Sequence, residues 1–164
     1  MTYVTDRPLP GKMNIIALHN VSGTPTVGFV VKPQSSNTMI GDPETTFNTT
    51  TGIITLPDRP CVLNAGLMYY ENTNPSPPYQ YCDFQWYDET NSQYIGNKAR
   101  LRGYGHDYYY DYETLSCDEQ AIAIAQNITV SLKIIAVRHT SLALDGSGSQ
   151  DIYAGKTRFL IYEF

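Results

Sequence analysis

The chain has 164 residues, of which 16% are charged, with eleven Lys and Arg against sixteen Asp and Glu for a net charge of -5. This length suits one domain with a proper core, and low charge with 41% apolar residues excludes a disordered chain. The acidic balance and the lack of a basic run exclude nucleic acid as the main partner, because neutralising phosphates takes clustered Lys and Arg. No apolar run approaches the eighteen or so residues that cross a membrane, and the opening Met1 to Pro8 has no apolar h-region, so no secretory signal is expected.

No stretch carries a sustained helical period. Short β-branched and aromatic segments recur between Gly, Pro, Asn and Ser clusters, which is the spacing of an all-β sandwich. Met13 to Leu18 is predicted as the first strand, followed by a turn at Ser22 to Pro25. Val27 to Lys32 is the second, closed by Pro33, and Thr46 to Leu56 holds the third around Thr50-Thr51-Gly52. Val62 to Tyr70 then runs into a loop of Asn and Pro from Asn72 to Pro78. Tyr81 to Tyr87 alternates, placing Cys82, Phe84 and Trp86 on one face and Asp83, Gln85 and Tyr87 on the other.

After a turn at Asp88 to Asn91 comes a strand from Gln93 to Arg102, then a loop dense in tyrosine, then Glu119 to Gln126. Ala121 to Ala125 is too uniformly apolar for a wet face, so it is either a central strand or part of a subunit contact. Ile128 to Val137 alternates, with Val130, Leu132, Ile134 and Ala136 inward and Ser131 and Lys133 outward. A Gly and Ser loop at Asp145 to Ser149 precedes a terminal strand, Arg158 to Phe164, whose apolar end must be tied into a sheet. Eight or nine strands and no linker predict one antiparallel two-sheet jelly-roll domain over residues 1–164.

Catalytic signals are weak. His19, His106 and His139 lie in different segments, and none accompanies a Ser or Cys in a nucleophile motif, so no enzyme is expected. Cys61, Cys82 and Cys117 form no Cys-x-x-Cys pair, which argues against zinc, and an odd count suits a reducing compartment better than a disulfide framework. Asp107, Asp111 and Glu113 are spaced for calcium, but the intervening tyrosines leave no glycine for the sharp turn, and they read as solvated loop carboxylates. Asp145 to Gly148 reads likewise as a flexible hairpin, so no metal and no cofactor are expected. Asn20, Asn48 and Asn127 each open a glycosylation-acceptor pattern, and without a signal peptide these read as chance.

Tyrosine is the unusual residue: there are fourteen, and five fall between Tyr104 and Tyr112. Tyr104, His106, Tyr108, Tyr109, Tyr110 and Tyr112 give large amphipathic contact area at small entropic cost, which makes this loop the candidate for binding a partner or a glycan. The alternative is a hairpin whose rings cover a neighbouring strand.

Two stretches carry a resemblance. Phe47-Asn48-Thr49-Thr50-Thr51-Gly52-Ile53-Ile54-Thr55-Leu56-Pro57, leading into Cys61 to Tyr70, resembles a hairpin of tumour-necrosis-factor-like and complement globular-head jelly rolls. Phe84 to Gly96 resembles the matching strand and turn in virion proteins of tailed phages that share this fold. The resemblance spans roughly residues 44–164; it departs at Asn64-Ala65-Gly66-Leu67, where the complement-type aromatic and glycine pattern is missing. It implies a homotrimer with the last strand near the three-fold axis, and makes Ile122, Ile124, Tyr162 and Phe164 the candidates for the trimer interface. It further implies a structural virion protein that decorates the capsid surface, bound to the major capsid protein and assembled in the host cytoplasm. A tail-fibre or spike head that binds a host surface saccharide is the alternative.

Overall fold

A computed structural model describes residues 13–19, 26–67, 69–71, 80–103, 119–138, 142–144 and 157–164. Among them there is no helix, and thirteen strands follow one another along the chain. They are β1 (Asn14–His19), β2 (Val30–Val31), β3 (Ser35–Ile40), β4 (Thr46–Phe47), β5 (Ile54–Thr55), β6 (Cys61–Gly66) and β7 (Tyr69–Glu71). Then come β8 (Gln80–Asp88), β9 (Gln93–Gly103), β10 (Ala121–Ala125), β11 (Thr129–Arg138), β12 (Leu142–Leu144) and β13 (Arg158–Glu163). All pairings are antiparallel.

One sheet runs β10-β6-β13-β1-β3; the other runs β4-β5-β11-β8-β9, with β2 beside β11. A small ribbon of β7 and β12 stands apart from both. Successive strands keep changing sheet, so most hydrogen-bonded neighbours are far apart in sequence, as in a jelly roll. The terminal strand is tied in as expected: β13 lies at the centre of the first sheet, between β6 and β1.

Period-two alternation builds the core between the two layers. From the first sheet come Leu18, Cys61, Leu63, Ala65, Phe159 and Ile161, and from the second Ile54, Phe84, Trp86, Leu101, Leu132 and Ile134, all fully buried. Trp86 meets Phe159 edge to face, with ring centroids 5.4 Å apart, so the two layers touch through their largest rings.

Several predicted strands are redrawn. Thr46 to Leu56 is a hairpin of two short strands, closed where the Asn48 carboxamide oxygen accepts from the Thr50 and Thr51 amides. Gly52 has φ +76 there, and a Cβ would lie 2.8 Å from Val30 Cγ1, so the hairpin can seat against β2 only with glycine. Val62 to Tyr70 is interrupted at Leu67, and its end forms β7 in the separate ribbon. Only Val30–Val31 of the second predicted strand is ladder-paired, while Ser35–Ile40, unassigned from sequence, pairs along β1.

A register shift between Ile134 and Ala136 corrects the inward assignment of Ala136. Ala136 faces Asp83 across the ladder, and Val137, paired with Cys82, packs against the core instead. The turn at Asp88 to Asn91 holds as expected: the Asp88 carboxylate accepts from both the backbone and the side chain of Asn91.

Candidate functional site

The alternation that sends Asn14, Ile16 and Leu18 inward sends Ile15 and Ala17 to the outer face of the first sheet. The same holds for Val62 and Asn64 on β6, Leu160 and Tyr162 on β13, and Ile122 and Ile124 on β10. Register then sets these side chains in line. Ile124 pairs with Val62, Val62 with Tyr162, Tyr162 with Ile15, and Ile15 with Ile40, so one row crosses all five strands. At about 4.8 Å between strands it is roughly 19 Å long. The row beside it reads Ile122, Asn64, Leu160, Ala17, Asn37.

An antiparallel sheet in a two-layer sandwich ordinarily turns polar side chains to water. Here the first row is apolar and open at both ends and the second at its β10 end: Ile124 is 75% exposed and Ile122 44%, with Met39, Ile40 and Phe164 also exposed. The structure therefore brings all four residues assigned to the interface from sequence onto one face. It adds Ile15, Val62, Leu160 and Ile40, which only the register between strands reveals. It also corrects one alternative for Ala121 to Ala125: the segment is an edge strand, not a central one, and its outer isoleucines face solvent. Tyr104, His106, Tyr108, Tyr109, Tyr110 and Tyr112 lie outside the described residues.

Two devices hold the ends of this face in place. At the β10 edge, the Asn97 side chain donates to Gln120 O at 2.8 Å and accepts from Ile122 N at 2.7 Å, imitating one rung of a neighbouring strand. Asn97 can do so because β9 bulges opposite Gln85, and Gly96, with φ +70, lies so close that a Cβ would collide with the Ile122 carbonyl. From below, the Trp86 indole donates to Ala121 O at 3.0 Å.

At the other end sits Glu163, fully buried at the close of β13. Its carboxylate accepts from Thr45 N at 2.8 Å, Thr45 Oγ1 at 2.7 Å, Glu44 N at 3.1 Å and Asn14 Nδ2 at 3.3 Å. Burial alone would raise its pKa, but these donors, led by Thr45, outweigh burial and hold it below its ordinary 4.5. The folded pKa is thus the lower one, so the stabilisation is complete above the unfolded value and is lost as pH falls through the folded pKa. Replacing Glu163 by Gln is expected to cost about 1–3 kcal/mol at neutral pH and to flatten the acid limb of urea midpoints measured from pH 7 downward. An unchanged acid limb would show that other carboxylates carry it.

Cys61 is a buried free thiol, and Cys82 is buried in the core. Burial, with a smaller push from Glu163, raises the Cys61 pKa to about 11, so the thiol is a packed apolar group rather than a nucleophile.

The chain matches no family model and no curated protein. Among solved structures it is similar to Eiger TNF from S. frugiperda, with TM-score 0.54 and 8% identity over 93% of both chains. It is also similar to murine APRIL, with TM-score 0.51 and 9% identity over 93% of this chain and 100% of that one. At these identities the likeness concerns the fold: the protein is an all-β, two-sheet jelly roll of the tumour-necrosis-factor type.

Proposed function

We propose that this chain is a structural virion protein: a homotrimer, assembled through the outer face of the first sheet, that decorates and stabilises the capsid of a tailed phage. The observation that carries the self-association is the row Ile124–Val62–Tyr162–Ile15–Ile40, an apolar line across a sheet face that solvent would otherwise wet. A second copy is the economical cover, because closed symmetric assembly buries the same face of every protomer. The phage assignment rests on the resemblance of Phe84 to Gly96 to virion proteins that share this fold. An odd count of three cysteines, with a buried thiol at Cys61, suits assembly in a reducing cytoplasm.

Native mass measurement of the purified protein is expected to give three chains, and particles are expected to carry it at a fixed stoichiometry and to resist heat better than particles without it. A monomer at micromolar concentration would overturn the self-association. A trimer found only in the few copies of a fibre would shift the reading to a host-binding head, and equal heat resistance with no vacant sites would remove decoration.

A further inference from the structure

Charge is not spread evenly over this acidic protein. Residues 80–103 and 129–138, which form β8, β9 and β11, hold five of the eleven Lys and Arg but only three of the sixteen Asp and Glu. The remainder of the chain therefore has six basic residues against thirteen acidic ones. On the outer face of these strands, Lys98, Arg100, Lys133 and Arg138 stand against two carboxylates of the same strands, Asp83 and Glu89, while Glu119, just before β10, also acts on Arg100.

The arrangement is braced. Asp83, almost completely buried, takes a two-point contact from Arg100 at 2.5 and 2.9 Å and an ion pair from Lys98 at 3.4 Å. Arg100 lies 4.2 Å from the centre of the Tyr81 ring, and Lys133 lies 3.3 Å from that of Tyr87 while pairing with Glu89 at 2.9 Å. Tyr94 packs edge to face on Tyr87 and is 48% exposed, Lys98 is 55% exposed, and Arg138 is exposed at the end of β11. Cations held in fixed positions lose little freedom when a partner arrives, and Arg and Tyr are the residues that contact surfaces favour.

We propose that the outer face of β8, β9 and β11 is a docking surface for an acidic polypeptide, whose carboxylates meet Lys98, Arg100, Lys133 and Arg138 around the Tyr81 and Tyr87 rings. The surplus of basic over acidic residues in these strands, against the acidic balance of the rest of the chain, is the complement such a partner fits. A saccharide is disfavoured because the ring faces on which a sugar would stack already carry Arg100 and Lys133. Nucleic acid is disfavoured because Asp83 and Glu89 interrupt the basic surface and the chain as a whole is acidic. This face belongs to the opposite layer from the apolar rows, so the inference does not depend on self-association.

The test is fluorescence anisotropy with labelled poly-L-glutamate, with heparin and duplex DNA as parallel probes. Poly-L-glutamate is expected to bind most tightly, and to weaken about tenfold or more when salt rises from roughly 50 to 300 mM. The double reversal Lys98→Glu with Arg138→Glu, at two exposed positions, is expected to weaken binding at least about tenfold. Arg59→Gln, beside Glu44 just before β6 of the first sheet, should leave binding unchanged. No binding of poly-L-glutamate, tighter binding of heparin or DNA, or an equal loss from Arg59→Gln would each overturn the proposal. So would salt-sensitive clustering of the protein with itself, which would make its own acidic surface the occupant.

Discussion

Replacing Ile122 and Ile124 together by Asp is expected to convert the proposed trimer to monomers without unfolding the protomer. Both side chains already face water in the single chain, at 44% and 75% exposure, so the protomer loses little by the change. In the assembly each isoleucine that becomes covered contributes about 1.5–3 kcal/mol of burial. Each aspartate put in its place would have to lose its hydration or keep the interface open, a further cost of several kcal/mol. Because every protomer supplies the same strand, the penalty recurs at each contact around the axis. A total of only about 4 kcal/mol per contact already weakens association roughly a thousandfold. Light scattering would read the mass and circular dichroism the thermal midpoint; a trimeric double variant would show that β10 lies away from the contact. Ile124→Val, which keeps the face apolar, should remain trimeric, so charge and not mere change at the position is what matters.

The alternation in Tyr81 to Tyr87 was legible because β8 is flanked on both sides and has one dry and one wet face, so Phe84 and Trp86 could only point inward. Ala121 to Ala125 was ambiguous for a different physical reason. Its alanines pack inward while its isoleucines cover the outer face, so composition alone makes an edge strand look central. Ser35–Ile40 carries no apolar alternation at all and is a strand because β1 supplies its ladder. Ala136 was misplaced by one residue because a bulge depends on the partner strand, which a linear pattern does not contain. The four interface candidates came from the uniformly apolar Ala121 to Ala125 and the apolar terminal strand, set by the resemblance near a three-fold axis, whereas Ile15, Val62 and Leu160 join them only through cross-strand register. Among the tyrosines whose side chains are described, Tyr81, Tyr87 and Tyr162 are partly exposed and Tyr94 is open.

Trp86 is the position where a core change should reach the assembly. Its ring is fully buried, packs edge to face on Phe159 in the first sheet, and donates its indole N–H to Ala121 O at the root of β10. Trp86→Phe keeps most of the apolar volume but leaves that carbonyl without its donor, at a cost of about 1–3 kcal/mol. Trp86→Ala also opens a cavity between the sheets and should cost about 3–5 kcal/mol, a large share of the roughly 5–15 kcal/mol that holds such a domain together. The consequence for β10 separates the two variants from an ordinary core lesion. Asn97 still grips the strand from its open edge, but nothing replaces the contact from below, so Ile122 and Ile124 lose their fixed height on the face. Trp86→Phe should therefore weaken trimer formation by more than its loss of protomer stability accounts for. Leu132→Ala, a comparably buried change in the second sheet whose side chain donates no hydrogen bond to Ala121, should lower the urea midpoint while leaving the association of folded protomers intact. Association constants measured at a temperature where all variants are folded would decide it: equal weakening by Trp86→Phe and Leu132→Ala would mean that the indole hydrogen bond does not set the position of β10.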